Sequence, residues 1–154
     1  MISAKKTHRI SAKAIVIHND CLLLIKKADA EGDYYILPGG GQEHGETLFQ
    51  TLVREVREET GFAVDPIDLI FVRDYIGANH EFAETSSHFH QVELYFEACL
   101  ANSGHSHAHL PDSGQIAVEW LPLTEVQARR VYPLSLREMM QSQKSERIYL
   151  GDVN

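Results

Sequence analysis

A run of glycines followed at once by a long helix signal constrains this chain more than any other feature. Tyr34-Tyr35-Ile36-Leu37 has the composition of a short strand and ends at Pro38-Gly39-Gly40-Gly41, where the chain turns sharply. Thr47 then opens a stretch, running to Thr60, that holds neither Gly nor Pro, and Gly61 stands where a helix would stop. At about 100° per residue, Leu48, Phe49, Leu52, Val53 and Val56 share one broad apolar sector. Glu55, Glu58 and Glu59 are spaced i, i+3, i+4, and Glu55 and Glu59 fall on the border of that sector. Carboxylates so placed are half buried and repel one another, and a hard divalent cation would offset the repulsion. The absence of a nearby His or Cys favours Mg²⁺, with Mn²⁺ as the alternative, over zinc. An acidic helix face more often simply meets water. Two features weigh against that here: the border placement, and a glycine turn whose bare backbone can approach the same ligand.

Charge narrows the partner. The chain has 154 residues with 22 acidic against 14 basic side chains, a formal charge of -8. That is the wrong sign for gripping duplex nucleic acid by its phosphates. It permits a small polyanionic substrate, provided divalent cations stand between carboxylates and phosphates. Cys21 and Cys99 lie in separate apolar runs without a Cys-x-x-Cys spacing, which reads as buried thiols in a reducing, cytoplasmic setting. No apolar run reaches the length of a membrane span, and no secretion signal is visible.

The remaining pattern predicts one domain over residues 1–154, mixing strands and helices in the α/β or α+β manner. Arg9 to Ile17 and Cys21 to Ile25, broken by Asn19-Asp20, predict a β-hairpin. Leu69 to Ile76 and His88 to Leu100 have strand composition, and the polar segment Gly77 to Ser87 between them is a candidate substrate loop. Ile116 to Leu121 predicts a further strand, Thr124 to Arg129 a short helix capped by Thr124, Leu134 to Gln143 a last helix, and Arg147 to Leu150 an edge strand. A homodimer through the N-terminal strands or the terminal helix is compatible with this pattern.

The segment Gly40 to Phe62 resembles the Nudix hydrolase box. Gly40, Glu46, Arg54-Glu55-Val56-Arg57-Glu58-Glu59-Thr60-Gly61-Phe62 fill every specified position of that motif. The resemblance implies a Nudix-type α/β/α sandwich around a mixed central β-sheet. It also implies that Glu55, Glu58 and Glu59 are the catalytic carboxylates and hold the divalent metal, with the main-chain carbonyl of Gly40 (or Gly39) as a further ligand. Glu55 would in addition orient or deprotonate the attacking water. Arg54 and Glu46 would form an ion pair fixing the loop against the helix. Arg54 as an ordinary i, i+4 partner of Glu58 is the plainer reading, and the two coexist. The implied reaction is metal-dependent hydrolysis of a pyrophosphate link in a nucleoside diphosphate joined to another moiety. The alternative is a catalytically silent domain that senses a nucleotide, which in this family goes with eroded glutamates.

Outside the box the pattern is less specific. Such folds recruit a further acid after the box, and Glu93, Asp112 and Glu119 are candidates, although a surface carboxylate is the commoner role of each. Aromatic and basic side chains that could meet a base or phosphates are Tyr34, Tyr35, Phe82, Phe89, Arg9 and Lys26, most of them expected to serve packing or solubility. His88 and His90 alternate beside the candidate substrate loop. His105, His107 and His109 alternate in a Ser- and Gly-containing stretch that reads as solvated loop before it reads as a metal site. Gly77 stands near the place where some ADP-ribose hydrolases of the family carry a proline, which takes weight from that substrate.

Overall fold

The computed structural model describes residues 5–101, 114–141 and 146–154; Asp112 and the histidines at 105, 107 and 109 lie outside them. Strand β1 (Thr7–His18) and strand β2 (Cys21–Asp29) form the expected hairpin. Asn19 (φ 50°) and Asp20 (φ 58°) both take left-handed backbone, the conformation that tight hairpin turns require and that Asn and Asp tolerate. Strand β3 (Gly32–Ile36) pairs antiparallel with β2. The glycine run differs from expectation: Gly39–Gly41 is itself a short strand, β4, with Ala12 opposite Gly40 and Lys13 opposite Gly39 on β1. Helix α1 (Leu48–Thr60) begins at Thr47, which forms a reciprocal capping box with Gln50, and ends at Gly61 (φ 77°).

Strand β5 (Val64–Ile76) starts earlier than its apolar pattern indicates and carries register shifts between Pro66 and Phe71. The candidate substrate loop contains a 3-10 turn at Gly77–Asn79 and one turn of helix, α2 (Ala83–Ser86). Strand β6 (Phe89–Leu100) runs parallel to β1 and antiparallel to β5. Strand β7 (Ala117–Pro122) follows the second polar segment and leads into a 3-10 turn, Leu123–Ala128, whose start makes no side-chain cap, so Thr124 does not play the capping part expected of it. Strand β8 (Val131–Tyr132), helix α3 (Leu134–Gln141) and strand β9 (Tyr149–Asp152) complete the described chain. The mixed sheet runs β8-β3-β2-β1-β6-β5-β9, with β4 on β1 and β7 on β2.

Two apolar clusters sandwich this sheet. Ala12, Ala14, Val16, Leu23, Phe96 and Ala98 pack against Leu52 and Val56 of α1. Leu22, Leu24, Phe71, Tyr95 and Leu121 face the other way, toward Val126 and Leu136. The solid apolar run of β2 thus reflects burial on both faces. Among the described residues no helix is long and apolar enough to cross a membrane. Because Leu52 is fully buried between α1 and β1, Leu52→Ala is expected to lower unfolding free energy by about 2–5 kcal/mol in urea denaturation.

Candidate active site

Arg54 ties the helix to the glycine strand. Its Nε and Nη2 take Glu46 in a two-point pair at 2.5 and 2.9 Å, Nη1 donates to Glu55 at 2.8 Å and to Glu58 at 3.3 Å, and Nη2 also donates to the carbonyl of Gly41 at 3.1 Å. Glu46 accepts in addition from the Glu43 N–H and the Thr51 hydroxyl. The Arg54 guanidinium first, then these donors, hold the Glu46 carboxyl at about 2 against an ordinary 4.5. The same contacts, Glu46 foremost, push Arg54 further up.

The three box glutamates meet β4. Glu59, 5% exposed, accepts from the Gly39 N–H at 3.0 Å. The Glu55 carboxylate lies on the Cα of Gly40 so closely that a Cβ there would stand 2.4 Å from Glu55 Cδ. Only glycine leaves that space open. At Gly39 (φ +140°) an added Cβ would strike the carbonyl oxygen of Ala12 at 2.1 Å, so this glycine serves the strand pairing.

Among the described residues no group of three or more His, Cys, Asp or Glu side chains is gathered as a preformed metal cluster. Arg54 and the Gly39 N–H hold the glutamates instead. The donor set nevertheless suits a hard divalent cation: it is oxygen only, and the bare Gly40 backbone lets the Glu55 carboxylate lie directly against it.

A cavity of about 260 Å³ is lined by β1, β5 and β6 on their face away from α1 and by β2, β3 and the 77–87 loop beside them. Arg9 and Lys13 of β1, Lys27, and the aromatic rings of Tyr34, Phe82 and Tyr132 line it, over a floor that includes Arg73, Glu93 and Tyr95. The three rings stand together at centroid distances of 5.2 to 6.0 Å. Lys13 reaches the Gly39 carbonyl at 3.3 Å, so the Gly39 peptide is held by Glu59 on one side and by the cavity lysine on the other. Arg9, bonded to Gln91 at 2.5 Å, extends past Gly41.

Of the expected contacts outside the box, Arg9, Tyr34 and Phe82 line this cavity, and Tyr35, Lys26, His88, His90, Phe89 and Glu119 do not. Tyr35 is 5% exposed in the core cluster, and its neighbour Tyr34 takes the cavity place. Lys26 is paired with Asp33 at 2.8 Å and Glu119 at 3.6 Å, away from the cavity that Lys27 faces. His88 and Phe89 line a separate recess with His8 and His90, and His90 bonds Asp74 at 2.8 Å. Glu93 is not a surface carboxylate: it is 4% exposed and bonded to Arg73 at 2.8 Å and to the Tyr95 hydroxyl. Lys13, Arg73 and Tyr132 were not singled out by pattern; a lysine interrupting the apolar alternation of β1 was the available signal for the first.

The comparisons with known proteins agree with this arrangement. The NUDIX domain model matches residues 7–143, and the chain belongs to that family. A putative nudix hydrolase 1 from Caenorhabditis elegans is 29% identical over 126 residues, 78% of this chain and 30% of the relative. A nucleoside triphosphatase, NudI, from an Enterobacter strain is 32% identical over 93 residues, 57% of this chain and 66% of the relative. In fold, the chain resembles a NUDIX hydrolase from Nitrosomonas europaea, with a TM-score of 0.70, 19% identity and coverage of 88% and 87% of the two chains. The chain therefore spans under a third of the length of the first of these curated relatives.

Three predictions separate the roles of these groups. Gly40→Ala displaces the Glu55 carboxylate, the movable end of a side chain, and is expected to weaken Mn²⁺ binding about 10–100-fold by titration calorimetry with little change in Tm. Gly39→Ala meets backbone and costs about 1–3 kcal/mol of stability. Since the folded-state pKa of Glu46 is depressed, its contribution to stability is fully present above about 4.5 and is lost as pH falls toward about 2. Urea unfolding of the metal-free protein across that window is expected to steepen with acid in the wild type and to flatten in Glu46→Gln.

Proposed function

We propose that this protein is a divalent-metal-dependent pyrophosphohydrolase acting on a nucleotide-type substrate, a nucleoside diphosphate linked to another moiety. The observation that carries the reading is a complete box whose Glu55 carboxylate packs on Gly40 while Arg54 spans Glu46, Glu55 and Glu58. The nucleoside triphosphatase named among the relatives supports a nucleotide as the substrate class.

Gly40, through its carbonyl, and Glu55, Glu58 and Glu59 would hold the cation, Mg²⁺ by the hardness of the oxygen set. When bound, that cation neutralises charge developing on the phosphate oxygens. The chain's own groups do the rest. Arg9, Lys13 and Lys27 draw the phosphates to the cavity rim beside β4. Arg54 fixes Glu55 through Oε1, which leaves Oε2 to take a proton from the attacking water. The water oxygen bonds to phosphorus as the bridging P–O bond breaks, giving two phosphorylated products without a covalent enzyme intermediate. Tyr34, Phe82 and Tyr132 offer faces on which a base can stack.

A panel of nucleotide pyrophosphates assayed with Mg²⁺ tests this. Turnover of at least one member is expected, and Glu58→Gln or Glu59→Gln is expected to lower kcat by more than about 100-fold. Nucleotide binding without turnover by the metal-loaded wild type would favour the sensor reading instead.

A further inference from the structure

The cavity owes one of its rings to a loop that a residue outside the cavity holds in place. Phe82 stands 5.2 Å from Tyr34 and 5.4 Å from Tyr132, ring centre to ring centre, and Thr85 and Ser86 of the same loop line the cavity beside it. None of the three lies in the sheet. Loop 77–87 leaves β5 after Ile76 and rejoins the sheet at Phe89 of β6, so its position over the cavity depends on what fastens it. Asp152 of β9 fastens it with a whole carboxylate. Oδ1 accepts from the Ile76 N–H at 3.1 Å and pairs with His80 Nε2 at 2.5 Å, while Oδ2 accepts from the Asn79 amide at 2.7 Å.

The hold on His80 is carried two residues along the chain to Phe82. The His80 carbonyl accepts from the Ala83 N–H at 3.0 Å and the Phe82 carbonyl from the Ser86 N–H at 2.8 Å, so the turn that presents Phe82 is built on His80. His80 itself is gripped twice, its ring stacked on Tyr75 at 5.3 Å and its Nε2 on Asp152. Gly77 closes the loop upon itself: a Cβ there would stand 1.8 Å from the Ser86 carbonyl oxygen. Asp74, the carboxylate opposite Asp152 across β5 and β9, is already engaged by His90 and by the Tyr149 hydroxyl. Burial pushes the Asp152 carboxyl up, but the bonds from Asn79, His80 and the Ile76 N–H outweigh it and hold the group below its ordinary value, so the latch is an anion at neutral pH.

We propose that Asp152 is a positioning residue: it fixes where loop 77–87 sets Phe82 over the cavity, and through Phe82 how tightly the cavity holds a nucleotide. The binding half rests on the nucleotide reading above, and the placement of Phe82 does not. A ring contributes stacking energy only while its face is held at contact distance, and a loop that is not fastened spends part of that energy on its own ordering. Asp152 thus acts on a ligand through Phe82 without lining the cavity itself.

Hydrogen exchange and NMR of the full chain without ligand or metal read the latch. In Asp152→Ala the amides of 77–87 are expected to exchange about tenfold or more faster while those of β1 and β6 keep their rates. The Phe82 ring protons are expected to lose the ring-current shifts that Tyr34 and Tyr132 impose. Titration calorimetry with ADP and GDP in EDTA reads the consequence. Kd is expected to rise about tenfold in Asp152→Ala and in Phe82→Ala, and the double variant to match Phe82→Ala within about threefold. A residue that merely stabilises the fold would weaken binding equally in both backgrounds. Where Asp152→Ala does not fold, His80→Ala breaks the same latch from the loop side and is read in the same way. Unchanged exchange in 77–87, an unchanged Kd in a variant whose loop has loosened, or a further loss of about tenfold in the double variant would each overturn the proposal. A wild type that binds neither nucleotide removes the nucleotide reading instead, and the ligand-free readouts then decide the placement of Phe82.

Discussion

The site depends on one guanidinium. Among the described residues Arg54 is the cation bonded to Glu46, Glu55 and Glu58 together, and it reaches the Gly41 carbonyl as well. Carboxylates this close repel one another in a half-buried setting, and a planar fork of five donors meets several of them at once where a lysine could not. The same group fixes distances between elements. Glu46 sits in the turn, Gly41 on β4 and the other partners on α1, so the register of helix against strand is set where these bonds converge. The two-point pair to Glu46 supports the box, and Glu55 and Glu58 are oriented through it.

Strand β1 carries that geometry to the cavity. Its even positions, Ala12, Ala14 and Val16, pack under α1, while Arg9, Ser11 and Lys13 face the opposite side. Because β4 pairs with the same stretch, the Gly39 peptide is reached by Glu59 from the helix and by Lys13 from the cavity. Glycine is demanded twice for different reasons, backbone approach at Gly39 and carboxylate approach at Gly40. Loop 77–87, which supplies Phe82, is fastened at its start by Asp152, which accepts from the Ile76 N–H at 3.1 Å and from Asn79 at 2.7 Å and pairs with His80 at 2.5 Å.

Much of this was legible beforehand, and the misses share a cause. The helix, its stop at Gly61, the hairpin and the role of the glycine run in bringing backbone to carboxylate follow from local chemistry, which a linear pattern records well. The pattern points to Lys26 and to both tyrosines, whereas Lys27 and Tyr34 alone face the cavity. These are cross-strand partners in one register, Lys26 opposite Tyr35 and Lys27 opposite Tyr34, and a shift of one residue flips both. Both strands are amphipathic at that point, so the face is decided by what packs on it. The burial of Glu93, a candidate by pattern, is not legible for a related reason: a carboxylate reads as surface until the arginine and tyrosine that hold it are brought across from β5 and along β6.

Charge organises the whole. In a chain of net -8, β1 separates the box glutamates from two cations of the cavity. The box glutamates lie on α1, Arg9 and Lys13 lie on the opposite face of β1, and β4 pairs with that same strand. A ligand whose phosphates span that boundary meets lysine and arginine on one side and, across the glycine backbone, the oxygen set suited to a divalent cation on the other. Under the proposed function, carboxylates that concentrate a cation at one end of a phosphate chain leave fixed cations to orient the rest.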